Sequence, residues 1–301
     1  MRHRLIGLTL AGLALLLQPA PAAVARGTKL FLWKATSPTT EVYLLGSIHL
    51  GKKEWYPLAK EIDGAFEKSK VLVLEADPAK ADQVKLQQLV FQHGLYAGDD
   101  SLAKHVPAET LKATRDLAAS LGIPAASLDK MRPWFVAMTL SVISIQKLGY
   151  SPEFGIDRVF AGRAKDQNKE VLELESMEFQ IKLLAGFADD LQAKYLAATV
   201  DESAKSKEQM EKMVESWRNG DVGTFEKETI AKPREKHPEL AEFHKKMIDD
   251  RNEGMAKTVE GYLKTKDVHF VVAGAAHMVG EKGIVKLLEK AGYKVEQMEA
   301  R

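Results

Sequence analysis

The sequence predicts an α/β protein in which strands from the N- and C-terminal parts of the chain form one mixed sheet, with a large helical middle region. Short continuous apolar runs such as "VLVLE" (71–75) and "FVVAG" (270–274) are typical of strands that are covered on both faces. Nearly all of residues 176–265 has a helical pattern instead. Because strands lie on both sides of this stretch, the two ends of the chain are expected to meet in the sheet.

Six segments have the pattern of strands, and the first two are joined by "SPTT", a turn sequence that favours a hairpin. They are Leu30–Thr36, Glu41–Ile48, Val71–Glu75, Glu170–Glu175, Val268–Ala273 and Tyr293–Met298.

Three helices complete the outline of the fold. Pro57–Ser69 and Glu281–Ala291 are predicted crossover helices, and Pro133–Lys147 is apolar almost all round, as in a buried helix. The prediction is one α/β domain over residues 26–301, with a helical insertion at roughly 80–265.

Residues 1–25 have the layout of a secretory signal peptide. Arg2 and Arg4 precede an apolar core, Leu5–Leu17, and small residues follow it. An uncleaved membrane anchor is the alternative, but this core is shorter than the roughly 20 residues that a spanning helix needs. The sequence therefore predicts a periplasmic or secreted protein with no integral membrane span after the signal is removed.

The overall composition limits the classes of partner and chemistry. Lys and Arg together number 43 and Asp and Glu 42, so the net charge of +1 gives no reason to expect nucleic acid or an anionic membrane as a partner. The chain has no cysteine, which excludes disulfides and a thiol nucleophile.

The unit Gly-x-x-His occurs twice, each time at the end of an apolar strand: Gly46–His49 and Gly274–His277. Ligands of open α/β sheets collect beyond the carboxyl ends of the strands. Glycine permits close backbone approaches there, so each unit can aim an imidazole into the same crevice. The plainer interpretation is a pair of ordinary loop histidines.

Acidic residues end two further strands. Glu75 would complete a two-histidine, one-carboxylate set with His49 and His277, which suits a catalytic metal with open positions. Asp77 is a reserve ligand, and Glu175 could take a proton from water as a general base. A salt bridge at the strand end is the alternative for Glu75. For Glu175 the alternative is a solvent-facing side chain, because Glu173 alternates with it along the strand.

Arg251 lies on the apolar stripe of the predicted helix "MIDDRNEGMAKTVEGYLK", beside Asn252. An arginine on a buried stripe needs a partner, either a core carboxylate or a developing negative charge in a site. Asp249 and Asp250 look like caps at the start of this helix. The remaining histidines have structural contexts: His93, His105, His237, His244 and His269.

Four blocks of the chain resemble the TraB/GumN family, which includes PrgY and is similar to the Tiki proteases. The blocks are "YLLGSIHLG" with "VLVLEAD", then "GIDRVFAGRAKDQNKEVLELES", "DDRNEGMAKTV" and "FVVAGAAHMVGEKGIVKLLEKAGYKVE". The resemblance implies a fold like those of erythromycin esterase and the haem-binding ChaN proteins. It also implies a metal-dependent hydrolase, a peptidase, with manganese or cobalt as the ion of the Tiki branch. Zinc is a third candidate for the divalent metal.

By position, the resemblance makes His49 and His277 metal ligands and Glu75 a ligand or base. Arg251 and Asn252 become polar site residues, and Asp157 and Glu175 are further matches. The expected partner is a peptide or protein substrate. The rival hypotheses are a non-catalytic protein that binds a peptide or haem, and a scaffold for surface-polymer or conjugation machinery.

Overall fold

The computed structural model describes residues 26–77, 80 and 82–301, and a six-stranded sheet forms its centre. All six predicted strands are present, with ends shifted by one or two residues. The predicted signal peptide lies outside the described residues. The strands are β1 (Lys29–Thr36), β2 (Glu41–Ser47), β3 (Val71–Leu74), β4 (Glu170–Glu173), β5 (His269–Gly274) and β6 (Lys294–Glu299).

The order of the strands is β4-β3-β5-β2-β1-β6. β4, β3, β5 and β2 pair in parallel, whereas β1 runs antiparallel to both β2 and β6. The predicted hairpin and the predicted mixed sheet are therefore confirmed. Because four neighbouring strands are parallel, their carboxyl ends meet at one edge of the sheet.

Helices surround the sheet and fill the middle of the chain. The described residues form α1 (Lys60–Lys68), α2 (Gln83–Gly94), α3 (Ala108–Leu121), α4 (Pro133–Lys147), α5 (Ile156–Asp166), α6 (Met177–Ala185), α7 (Asp189–Glu202), α8 (Ser206–Arg218), α9 (Val222–Glu226), α10 (Lys232–Lys236), α11 (Ala241–His244), α12 (Asp250–Tyr262), α13 (Ala275–Met278) and α14 (Ile284–Lys290). Short 3₁₀ turns join several of them, and a π-helical turn, Lys245–Asp249, connects α11 to α12.

The main core lies on both faces of the sheet, and the helical middle has two smaller apolar clusters of its own. Phe66, Phe160 and Phe270 pack together in the main core. Leu140 belongs to one cluster of the helical middle and Trp134 to the other, and both are residues of α4. Among the described residues, no helix is long and apolar enough to span a bilayer.

Candidate metal centre

The carboxyl edge of the sheet brings together His49, Glu75 and His277, which we call the candidate centre. His49 Nε2 lies 3.9 Å from Oε2 of Glu75, and His277 Nε2 lies 3.8 Å from Oε1 of the same carboxylate. Each residue follows its strand by one to three positions, so parallel pairing alone carries all three to one place. Two imidazoles thus face one carboxylate from positions 228 residues apart in the chain.

The glycine of each Gly-x-x-His unit permits a close approach. A Cβ at Gly274 would lie 3.2 Å from Glu75 Oε2 and 3.3 Å from His49 Nε2, in the space between the ligands. A Cβ at Gly46 would lie 2.6 Å from the Phe31 ring and 3.1 Å from Cα of Ala275. Gly274 therefore leaves room inside the candidate centre, while Gly46 lets β2 pack against the start of α13.

The orientation of His277 follows from its hydrogen bond with Asn252. The Asn252 Nδ2 group donates to the carbonyl of Lys282 (2.9 Å), which leaves Oδ1 as the acceptor facing His277 Nδ1 at 2.6 Å. Nδ1 consequently carries the hydrogen, and the lone pair of Nε2 faces Glu75. Burial, helped by the charges of Arg251 and His49, outweighs the attraction of Glu75 and lowers the pKa of His277 to about 4.

His49 is oriented in the same way by a charged partner. Its Nδ1 lies 3.2 Å from Oδ1 of Asp157, in the first turn of α5, and the Ser47 hydroxyl donates to the same oxygen at 2.9 Å. A backbone hydrogen bond from Ile156 to the carbonyl of Ile48 holds α5 beside the histidine. Burial lowers the pKa of His49, but Asp157 and Glu75 outweigh it and raise that pKa to about 9.

Glu75 is the central anion of the candidate centre. Oε1 accepts from Arg251 Nη2 at 2.6 Å and from Gln180 Nε2 at 3.0 Å, and Oε2 accepts from the Gly274 amide at 2.8 Å. Burial disfavours its charge, but the charges of His277, His49 and Arg251 and the Gly274 amide lower the pKa of Glu75 to about 2. The carboxylate is therefore ionised at any physiological pH.

Arg251 connects Glu75 to Glu175. Its Nε donates to Oε1 of Glu175 at 3.1 Å, its Nη2 donates to Oε2 at 2.7 Å, and its Nη1 donates to the carbonyl of Met247. Backbone pairing continues past β3 and β4, since the Glu175 amide donates to the carbonyl of Glu75. The structure confirms carboxylate partners for Arg251, namely Glu75 and Glu175, and a role toward a developing negative charge stays a prediction.

Two details differ from the sequence-based prediction. Asp249 and Asp250 are not helix caps, because the chain is already helical from Ala241 and the Asp249 carboxylate accepts from Arg234 and Lys282. Gln180 was missed: it lies on α6 and reaches both Glu75 and Glu175. A single glutamine on a mostly apolar helix is its only sequence signal.

The residue types of the candidate centre are those of a divalent-cation site, but its three ligand atoms do not all lie within 4.8 Å of one another, so a shared ion would require them to move closer. Both Nδ1 atoms are tied to acceptors, so both Nε2 atoms can offer lone pairs toward an ionised carboxylate, the arrangement of histidine ligands held by outer partners. The two oxygens of the Glu75 carboxylate offer four lone-pair positions. Three protein donors occupy three of them, which leaves one for an ion. A Cβ at Gly274 would crowd Glu75, His49 and His277 at 3.2–3.3 Å, so glycine keeps the space beside the ligands free of a side chain.

The ligand atoms of a second group of acidic and histidine side chains lie closer together, but this group is a weaker candidate for binding a metal. Asp201, Glu202 and His237 are the one set among the described residues whose ligand atoms lie within 4.8 Å of one another. The ammonium group of Lys236 contacts both of these carboxylates, and His237 Nδ1 contacts Glu239. A cation is thus already supplied by the chain at this cluster. Asp77, the predicted reserve ligand, is buried, and its backbone amide donates to Glu173.

The fold and the candidate centre define an α/β protein with two histidines and several carboxylates at the ends of parallel strands. The TraB/PrgY/gumN family matches residues 31–297, so the chain belongs to that family.

Two curated relatives bear the description "Uncharacterized protein YbaP". The protein from Escherichia coli (strain K12) is 29% identical over 171 residues, covering 56% of this chain and 61% of the relative. The protein from Shigella flexneri is 29% identical over 147 residues, covering 49% and 53%. The match thus spans less than two thirds of either relative. No solved structure matches the chain, so the likeness to erythromycin esterase and ChaN stays a prediction.

Proposed function

We propose that the protein is a metal-dependent hydrolase, and that its substrate is a peptide. The observation that supports this most strongly is the pair of imidazoles whose Nδ1 atoms are held by Asp157 and Asn252 while their Nε2 atoms face Glu75. His49, His277 and Glu75 would hold the ion. A divalent cation there would supply a Lewis acid that polarises a carbonyl and makes water more acidic.

The surrounding residues have distinct tasks in this proposal. Asp157 and Asn252 fix the tautomers of the two histidines and present their lone pairs inward. Arg251 and Gln180 hold Glu75 in place, and Arg251 also balances the charges of Glu75 and Glu175. Glu175 is the candidate general base. A proton that it accepts from water would occupy a carboxylate oxygen that now accepts from Arg251, so that hydrogen bond would be lost.

The test is peptide cleavage and metal content of the purified protein with Mn²⁺, Co²⁺ and Zn²⁺ supplied separately. His49→Ala and His277→Ala should each lower bound metal and cleavage by at least about tenfold, because each removes one of three ligands. His93→Ala, on α2 outside the candidate centre, is the control and should keep both properties. Full metal content and activity in either ligand variant would refute the assignment.

Binding of a peptide without cleavage is the second candidate function. The hydrogen bonds from Arg251, Gln180 and Gly274 to Glu75 favour it, because they engage the carboxylate that would otherwise bind metal. Tight peptide binding that needs no metal, with no cleavage under any of the three ions, would establish this function in place of hydrolysis.

We also propose that residues 1–25 direct the chain to the periplasm or outside the cell. The basic start, the apolar core and the small residues before Arg26 support this. N-terminal sequencing of the exported protein should find a start near Arg26. A full-length protein that stays with the membrane would contradict the cleavage.

A further inference from the structure

A groove of about 580 Å³ lies between α6 and α12, directly beside the candidate centre. Its apolar lining comes from three segments that meet there: Leu174 after β4, Phe179 and Leu183 on α6, and Met255 on α12. Arg251 and Glu175 also line it. The groove therefore begins at the same ion pair that holds Glu75 on its other side.

The charged groups of the groove already have partners within the protein. Glu175 is paired with Arg251, Asp250 with Lys245, and Lys246 with Glu242 at 2.8 Å. What the groove offers a ligand is consequently its apolar surface. Phe179 is the clearest part of it, since 45% of this large side chain is exposed.

Gly254 keeps the α12 side of the groove open. It lies inside the helix, where glycine is less favourable than alanine, and no atom lies within 4 Å of the position of a Cβ there. Neither the backbone nor packing thus requires a glycine at this position. A larger side chain would project into the groove without disturbing the helix.

We propose that this groove binds an aromatic or long aliphatic side chain of the peptide substrate, and that Phe179 and Gly254 determine this specificity. The inference rests on the proposed peptidase function, because the groove adjoins the candidate centre through Glu175 and Arg251. Its volume is within the range of roughly 300–1,000 Å³ that is usual for ligand pockets and is sufficient for a large side chain. Apolar burial is the interaction that selects the ligand.

The experiment measures binding rather than cleavage. The purified full chain is titrated with two blocked tripeptides, acetyl-Ala-Phe-Ala-amide and acetyl-Ala-Ser-Ala-amide, and with dodecanoate, each followed by two-dimensional NMR. The phenylalanine peptide should bind at least about tenfold more tightly than the serine peptide, since its ring leaves water. Phe179 and Leu183 backbone signals should shift.

Two glycines of the same helix provide a matched pair of variants. Gly254→Leu should abolish the preference for the phenylalanine peptide. Gly261→Leu should keep it, because Gly261 is equally free of neighbours but does not line the groove. Both variants should fold, as leucine is the better helix former, and their thermal unfolding curves check this.

Three results would overturn the inference: equal binding of the two peptides by the wild type, equal effects of the two leucine variants, or binding of dodecanoate alone. Preference for the phenylalanine peptide that is lost only in Gly254→Leu supports the groove even if the metal-loaded protein cleaves nothing. Failure of the hydrolase and failure of the groove are thus distinguishable.

Discussion

The two Gly-x-x-His units share a sequence pattern and a place at the sheet edge, but they produce imidazoles of opposite character. The side chain of His277 is 5% exposed and its Nδ1 faces a neutral amide, whereas 52% of His49 is exposed and its Nδ1 faces a carboxylate. The pKa of His277 is lowered to about 4, and that of His49 is raised to about 9. The charges of Asp157 and Glu75 raise the pKa of His49, whereas burial and the charges of Arg251 and His49 lower that of His277. The motif encodes neither environment.

The two histidines therefore have different protonation states near neutral pH. His277 is a neutral imidazole with a lone pair already directed at Glu75. His49 is protonated and supplies the positive charge that Glu75 and Asp157 attract. A metal ion would thus find one ligand prepared and would have to displace a proton from the other.

Removal of Arg251 should have the largest effect, because its charge acts on both histidines and on two carboxylates. Arg251→Ala leaves Glu75 and Glu175 without their guanidinium partner, and loss of one member of a buried pair costs about 3–5 kcal/mol of unfolding free energy. Urea denaturation measures the change. Arg115→Ala is the control: its ion pair with Asp129 is largely exposed and should contribute less than about 1 kcal/mol. Equal losses in the two variants would show that the Arg251 cluster is not a tightly coupled unit.

Exchange of the two histidine partners should bring the two pKa values close together. Asn252→Asp gives His277 a carboxylate and should raise its pKa by about 1–3 units. Asp157→Asn removes the charge beside His49 and should bring its pKa from about 9 down toward the ordinary 6.5. NMR titration of the imidazole resonances reads both values. Unchanged pKa values in both variants would mean that the hydrogen-bond partners of the Nδ1 atoms do not set the two histidines apart.

Alanine substitutions at Gly46 and Gly274 should have different effects, the first on packing and the second on metal binding. Gly46→Ala places a Cβ against Phe31 and the backbone of Ala275, and such overpacking costs about 1–3 kcal/mol. Gly274→Ala crowds Glu75 and His49 instead, so it should change stability by less than about 1 kcal/mol and weaken metal binding by at least about tenfold. Thermal unfolding and metal titration of both variants test this contrast. A large loss of stability with full metal binding in Gly274→Ala would contradict it.

The sequence was sufficient for the sheet but not for the partners inside the site. Continuous apolar runs such as "VLVLE" identify β3 and β5, because strands covered on both faces leave a local signature. Glu75 and Glu175 were found because each ends such a run. The helix pattern indicates Asn252 only as the neighbour of Arg251, and the resemblance to the family alone indicates Asp157 and a site role for Asn252. Their hydrogen bonds connect residues 108 and 25 positions apart.

The junctions between helices in the middle region could not be predicted from the sequence either. The pattern of residues 176–265 predicted helices, but not the π-helical turn Lys245–Asp249 that makes α11 and α12 continuous. The sequence therefore predicts a cap at Asp249, whereas in the structure its carboxylate pairs with Arg234 and Lys282. The partners of Gln180 cannot be predicted from the sequence, because its two acceptors come from segments after β3 and β4.

The most direct test of the shared site is calorimetric titration with Mn²⁺ at pH 7.5, in two buffers with different ionisation enthalpies. The account predicts one ion per chain and the release of about one proton, because His49 is protonated below its pKa of about 9 and must lose that proton to bind. Affinity should accordingly rise about tenfold per pH unit between pH 6 and 8. One ion bound with no proton release, and with unchanged affinity in His49→Ala and His277→Ala, would contradict the claim that these two histidines and Glu75 share an ion.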